Sequence, residues 1–433
     1  MTPKAGSYFP SQAASTLYAM AGDDCSLHFD LNTLTEKQLA DHVSNIELTA
    51  MLQVALLYVG KPVDHVALFD EFQRPPWRET LDLYRRAFTE MGVPPVPESN
   101  CHYYPRDGFY EAVAADRVDA DLTTLYLVSG SNAVVHRSDA ALSISQRVNS
   151  KMQLAADAAQ WGIPVPETLV CRKRDLDGPE VSGFFDTHHN QIMLKLKGLA
   201  GARNVTSVAG VPECMDYVAE YPNDMEIVLQ RKLSADEFTE MTVDLIVRDD
   251  SIEIANVRRI LFADGLWVGN LIGGGVTVDP AHERALLRVG EYVRDLGYRS
   301  PEGFNCGIDY FVSADELLVT EINARWTGGL FPAEMIRRLD LAGRGAVAFF
   351  DMVSRDGLPR YLDFSEQTLY RRQDEPFASV PLGFSPFPMP VDGRDMHPVW
   401  QMVVGDIEAF KAAKREALEP GDLPTADKIS LTF

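Results

Sequence analysis

The stretch VTEINARWTGG, residues 319 to 329, constrains the chain more than any other. Leu318, Val319 and Ile322 give it the apolar content of a buried strand, yet Glu321, Asn323 and Arg325 fall at every second position and two glycines follow. Alternate strand positions share a face, so the acid, amide and guanidinium point one way while Ile322 and Ala324 point into a core. The upstream run CGIDYFV reads as the partner strand. If the hairpin closes with a three-residue loop at Ala314 to Glu316, Asp309 falls directly opposite Glu321, and two carboxylates about 5 Å apart repel. A two-residue loop would put them on opposite faces, so register decides the chemistry. Two acids and an amide oxygen on one face offer the hard oxygen ligands that magnesium takes, alongside waters and substrate phosphates. An edge strand whose polar face is simply solvated is the competing reading.

Size leaves room for several units around this hairpin. At 433 residues and 46% hydrophobic, the chain can bury a large core and is expected to divide into two to four domains or lobes. Its formal charge of -23 leaves no basic face for a polyphosphate backbone, which argues against DNA, RNA and anionic membrane as partners. A small anion held by a few local lysines remains compatible with that charge. Cys25, Cys101, Cys171, Cys214 and Cys306 are scattered, with no C-x-x-C pair, as expected of reduced thiols in a cytoplasm. The stretch MTPKAGSYFPSQAAST has no apolar h-region and no eighteen apolar residues run together, so neither export signal nor membrane span is expected.

Residues 1–140 mix helical periodicity (Asn45 to Tyr58, Trp77 to Met91) with strand-like HVALF and TTLYLVSG, suggesting an N-terminal α/β domain. From Asn149, NSKMQLAADAAQWGIPVPET reads as an N-cap, a helix stopped by Gly162 and a Pro-punctuated exit. The β-rich runs QIMLKLKG, MEIVLQRKL, EMTVDLIVR and SIEIANVRRILF follow, then a helix from Pro280 to Leu296 and the strands around Asp309 and Glu321. Strands and helices mix without strict alternation, which favours α+β lobes, here 141–232 and 233–355. Residues 356–433 read as a C-terminal extension.

Two further features concern anions. In QIMLKLKGLAGARNV, Lys195 and Lys197 share a strand face, and Gly198 and Gly201 frame a small-residue loop whose N–H groups can approach an anion; a lysine-bearing strand with a loose turn is the plainer reading. Lys151 opens a helix, where a cation opposes the macrodipole unless an anion lies nearby.

Taken in order, a lysine opening a helix, a strand lysine with a small-residue loop, a strand ending in a hinge, a paired acid and E-x-N-x-R resemble the ATP-grasp superfamily from about Asn149 to Leu339. The resemblance implies two α+β lobes clamping ATP, with two magnesium ions for which manganese can substitute. On that resemblance Lys151 and Lys195 touch the phosphates, Gly198 to Asn204 form a flap to which Arg203 belongs, Gln230 faces the adenine, and the backbone of Arg231 and Leu233 meets its edge. Glu240 takes the ribose hydroxyls, Asp309, Glu321 and Asn323 hold the metals, and Arg325 holds the transferring phosphoryl group or the acyl phosphate.

This sequence departs from relatives resembling D-alanine ligase, whose arginine two positions before the first metal acid is here Gly307. Arg258 or Arg259, in NVRRILF, stands in as the candidate oxyanion contact. Gly273, Gly274 and Gly275 either line the acceptor side or form a turn. The reaction implied is attack of a carboxylate on the γ-phosphate, giving an acyl phosphate and ADP, followed by an amine. TEINARWTGGLFP looks most like ligases that join amino acids or short peptides, with Thr327, Gly328 and Gly329 binding the donor carboxylate and Trp326 either walling a pocket or packing in the core. Alternatives are loading of an acid on a carrier-protein thiol, or a nucleotide-binding regulatory protein without turnover. Residues 356–433 are expected either to close over the acceptor site or to support a homodimer.

Overall fold

A computed structural model describes residues 15–22, 27, 34–116, 118–123, 129, 132, 139–196, 205–263, 266–341, 343–371, 375–391 and 393–418. The first unit runs β1 (Thr16–Tyr18), α1 (Glu36–Val59), β2 (His65–Phe69), α2 (Trp77–Glu90), β3 (Cys101–Tyr104), α3 (Phe109–Ala115) and β4 (Asp121–Thr123). Its strands pair in parallel in the order β3-β2-β1-β4. Helix α1 starts at a capping box, in which Thr35 and Gln38 satisfy each other's backbone N–H groups. Most of TTLYLVSG beyond Thr123 lies outside the described residues.

After α4 (Asp139–Val148) and α5 (Lys151–Trp161), a small lobe is built from β5 (Thr168–Arg172), α6 (Pro179–Thr187), β6 (Ile192–Lys195), β7 (Val205–Val208), α7 (Val211–Tyr217) and β8 (Glu226–Arg231). Its antiparallel sheet, β5-β8-β6-β7, encloses its own core of Leu176, Phe185, Ile192, Leu194, Ile227 and Leu229 among others. Ser150 caps α5 by accepting from Gln153 N, and Gly162 ends it with a φ of 62°, a left-handed turn that glycine adopts without strain.

The large lobe comprises β9 (Thr239–Val247), β10 (Ile252–Ala263), β11 (Leu266–Ile272), α8 (Pro280–Asp295), β12 (Phe304–Val312), β13 (Leu317–Asn323), α9 (Leu330–Arg338) and β14 (Ala346–Ser354). The tail adds α10 (Leu358–Gln367), β15 (Phe377–Phe384), β16 (Met389–Val391), β17 (Arg394–Gly405) and α11 (Ile407–Ala417). The tail does not form a sheet of its own. One antiparallel sheet runs β13-β12-β9-β10-β11-β14-β17-β15, with β16 on β17, so the expected boundary at 355/356 falls inside a continuous ladder. The reason is apolar: β15 and β17 carry Val380, Leu382, Phe384, Val399, Trp400 and Met402 into one core with Val54, Leu56 and Tyr58 of α1.

The hairpin β12–β13 brings Asp309 opposite Glu321, by a route other than the expected one. Val312 pairs with Leu317 across the four positions Ser313 to Glu316, a loop that would by itself set Asp309 against Thr320. A bulge then skips Thr320, so that Tyr310 pairs with Val319 but Asp309 with Glu321.

Candidate active site

Four neighbouring strands turn polar alternate positions to the same side of the large sheet. Across one row lie Glu321 (β13), Asp309 (β12), Thr242 (β9) and Arg258 (β10); across the next lie Asn323, Gly307, Asp244 and Asn256. Ile322 and Ala324, at the intervening positions, are buried in the core under α5 and α8.

Helix α5 delivers Lys151 to this face. Its Nζ donates to Glu321 Oε1 at 2.6 Å, which supplies the anion that a lysine in the first helical turn calls for. Lys195, at the end of β6 in the small lobe, faces the same acids. Burial lowers its ammonium to about 8, with Lys151 pushing it further and Glu321 opposing. Burial and the neighbouring Glu321 raise Asp309 to about 6, and burial and Asp309 raise Glu240 to about 8. Burial also works against ionised Glu321, but Lys151, Lys195 and Arg325 outweigh it and hold that carboxyl below its ordinary range.

Asn323 Nδ2 donates to Asp309 Oδ2 at 2.8 Å. Arg325 is buried, its Nη1 donating to Asn149 Oδ1 at 3.2 Å; the same oxygen accepts from Ala324 N at 2.8 Å. Asn149, read from sequence only as a helix start, thus ties the α4–α5 junction to the end of β13.

Between the lobes lies a narrow cleft lined by Lys151, Leu154, Val165, Thr168, Lys195, Val228, Gln230, Val319 and Thr320 among others. Apolar walls with lysines at one end suit a flat base carrying a charged tail. Gln230 Nε2 donates to Thr168 Oγ1 at 3.0 Å, which leaves the carbonyl oxygen of Gln230 for another donor. Arg231 N donates to Glu167 O at 2.9 Å, so at that residue it is the carbonyl that remains for a ligand. The Arg231 side chain lies near both Glu167 and Glu316, bridging the lobes.

Other sequence candidates are engaged by neighbouring groups. Arg258 is fully buried and paired with Asp244, in the same cross-strand row as Asp309 and outside the lining of the cleft. Thr327 Oγ1 is engaged by Arg258 Nη2 at 2.9 Å and by Asp244 Oδ1 at 3.2 Å. Trp326 packs edge-on against Phe331 in the core, and Gly273 to Gly275, all at positive φ, form a turn against Arg344 and Gly345. Gly198, Gly201 and Arg203 lie outside the described residues.

Neither a family model nor a curated protein matches the chain. Solved structures do. N5-carboxyaminoimidazole synthase from Aspergillus clavatus, in complex with ADP and 5-aminoimidazole ribonucleotide, superposes with a TM-score of 0.55 at 11% identity, over 93% of this chain and 98% of that one. Phosphoribosylamine–glycine ligase from Thermotoga maritima gives 0.54 at 12% identity, over 95% and 99%. N5-carboxyaminoimidazole synthetase from Staphylococcus aureus, complexed with ADP, gives 0.53 at 10% identity, over 94% and 97%. This chain has the ATP-grasp fold. At such identities the likeness is one of architecture. The ATP-grasp arrangement accounts for two lobes with separate cores facing each other across the cleft, and it extends over the N-terminal unit and the tail as well as the stretch from Asn149 to Leu339.

Whether the donor set suits magnesium is testable on these side chains. Among the described residues no three His, Cys, Asp or Glu groups converge as a self-sufficient metal cage. Magnesium seldom asks for one, keeping waters and substrate phosphates around one or two carboxylates. Asp309 and Glu321 stand side by side, with Asp309 raised by burial and by its neighbour's charge, and a divalent cation would relieve such a pair. No helix among the described residues is long and apolar enough to cross a membrane.

Proposed function

We propose that this protein is an ADP-forming ligase that activates a carboxylic acid as its acyl phosphate and couples it to an amine, the acid and amine being amino acids or short peptides. The observation that carries this reading is that Lys151 and Lys195, which line the interlobe cleft, meet the acids Asp309 and Glu321, with Asn323 bonded to Asp309 and Arg325 acting on Glu321. A structure that only bound a nucleotide would not need the complete acid pair beside both lysines. The choice of amino acids or peptides is supported by the resemblance of TEINARWTGGLFP to ligases of that kind.

Each residue has a task that its chemistry fits. Gln230, the Arg231 carbonyl and the Leu233 N–H take the edge of the adenine, and Glu240 accepts from the ribose hydroxyls. Lys151 exchanges Glu321 for a phosphate oxygen, and the buried ammonium of Lys195 gains a counter-charge in the polyphosphate. Asp309, Glu321 and Asn323 would hold magnesium, which neutralises phosphate charge when bound. A carboxylate oxygen of the acid attacks the γ-phosphorus, the bond to the bridging oxygen breaks and ADP leaves. Arg325, its guanidinium held by Asn149, stabilises the charge spreading over the phosphoryl oxygens. The amine nitrogen then attacks the acyl carbon, phosphate departs and the nitrogen loses a proton. Positioning and electrostatics supply the rate, and no cysteine takes part.

A screen of amino acids singly and in pairs with ATP tests this, reading ADP release, product mass and, with hydroxylamine added, a hydroxamate. Release of AMP and pyrophosphate would overturn the acyl-phosphate route. ADP release that requires a thiol and ignores every amine would move the acceptor to a carrier protein. Glu321→Ala should abolish ADP formation in a folded protein; ordinary turnover in that variant would remove the metal assignment.

A further inference from the structure

Beneath the segment Arg325–Gly329 lies a buried polar frame that no step above uses. Asp244 and Arg258 are wholly shielded from solvent and paired to each other. Asp244 Oδ1 accepts from Asn305 Nδ2 at 3.1 Å and from Thr327 Oγ1 at 3.2 Å, and its Oδ2 from Arg258 Nη1 and, at 3.5 Å, from Asn256 Nδ2. Arg258 Nη2 continues to Thr327 Oγ1 at 2.9 Å, and Asn305 Nδ2 reaches Arg325 O at 2.6 Å. Every strand of the frame, β9, β10 and β12, therefore ends on the segment that carries Arg325.

Two glycines fit this frame and little else would. A Cβ at Gly329 would stand 2.2 Å from Arg258 Nε and 2.7 Å from its Cζ, so the backbone lies directly on the guanidinium. A Cβ at Gly307 would stand 2.3 Å from the Thr327 methyl and 3.3 Å from Asp244 Oδ1. Neither neighbour can swing aside cheaply, because both are locked by the hydrogen bonds just given. A buried ion pair is a poor source of net stability, and its best attested use is to specify one arrangement over others.

We propose that Asp244, Arg258 and Asn305 are positioning residues that hold Arg325–Gly329 in one conformation, so that Arg258 acts on the reaction through Thr327 and Gly329 and touches no substrate. This rests on the reading of Arg325 as the phosphoryl contact. It also explains the glycine at 307: the space under Thr327 that an arginine side chain would need is filled by the threonine methyl.

The test is a cycle of Arg258→Lys, Thr327→Val and the double variant, with Thr327→Val leaving the Asp244–Arg258 pair in place should Arg258→Lys fold poorly. Each single change should lower kcat by about ten- to hundredfold with KM for ATP nearly unchanged. The double variant should be no worse than the poorer single one. Losses that multiply, or a raised KM for the acid in Arg258→Lys alone, would mean a direct substrate contact and overturn the proposal. Hydrogen exchange gives a readout without turnover: the peptide covering 324–330 should exchange faster in both single variants, while 192–196 keeps its wild-type rate. Unchanged exchange at 324–330 sinks the frame. A wild type that consumes no ATP with any acid sinks the ligase reading instead.

Discussion

Lys195 is held as a charged group in a buried place, and on the proposed function Lys195→Met should stabilise the ligand-free protein. Burial lowers its ammonium from 10.5 to about 8, against the pull of Glu321, Glu240 and Asp309. At roughly 1.4 kcal/mol per pKa unit, a depression of between two and three units puts the cost of keeping the charge at about 3 kcal/mol. The sign follows from the depressed folded value. Below about pH 8 the lysine is charged whether folded or unfolded and the whole cost falls on the folded state; between about 8 and 10.5 the folded form sheds its proton and the cost fades. Urea unfolding without nucleotide should then show Lys195→Met more stable than wild type by about 2–3 kcal/mol near neutral pH. The gap should close as pH approaches about 10. ADP with magnesium should stabilise the wild type and leave the variant almost unmoved. A variant less stable than wild type at neutral pH, or a gap indifferent to pH, would refute the assignment of Lys195 as a desolvated cation awaiting a polyphosphate.

Three further outcomes are expected. ATP affinity should fall as pH rises through about 8, as unliganded Lys195 loses its proton, and isothermal titration in buffers of different ionisation enthalpy should register proton uptake on binding above that pH. Gly307→Ala should cost about 1–3 kcal/mol by pressing on Thr327 and Asp244, and should lower kcat through the same segment that carries Arg325. Lys414→Met should cost about 3–5 kcal/mol, because it strands the buried carboxylate of Asp351, otherwise held by Lys414 and by Tyr361 at 2.8 Å; adding Asp351→Leu should return much of the loss in thermal unfolding.

The acid pair was legible because a period of two is visible in one dimension, and TEINAR shows it plainly. The same period runs through TEMTVDL as Glu240, Thr242 and Asp244 and through NCGID as Asn305, Gly307 and Asp309, so the polar face of the sheet was written in three strands and only partly read. Register was harder. The bulge at Thr320 has no marker in composition, and it alone restores Asp309 to Glu321 across a loop one residue longer than expected. The fate of Arg258 was not legible either, since exposure and burial of a guanidinium differ only by what stands opposite, here Asp244 on the adjoining strand. Residues 356–418 misled because prolines and glycines suggest a separate module, while partnership in a distant sheet leaves no local pattern. Trp326 offered two readings of equal standing, and packing against Phe331 selects the core.

The seam between α1 and β15 bears on how such a chain can be made. A Cβ at Gly383 would meet Met51 O at 2.2 Å, Tyr84 OH donates to Gly383 O at 3.1 Å, Ser385 Oγ to Glu47 O at 2.6 Å, and the Phe384 ring lies 5.4 Å from Phe72. On the ribosome the opening α/β unit, complete at Thr123, emerges about 250 residues before β15 starts at Phe377. Throughout that interval its apolar flank stays wet and sticky, a natural berth for a chaperone, and a transcript stopping short near residue 355 yields a product with nothing to cover it.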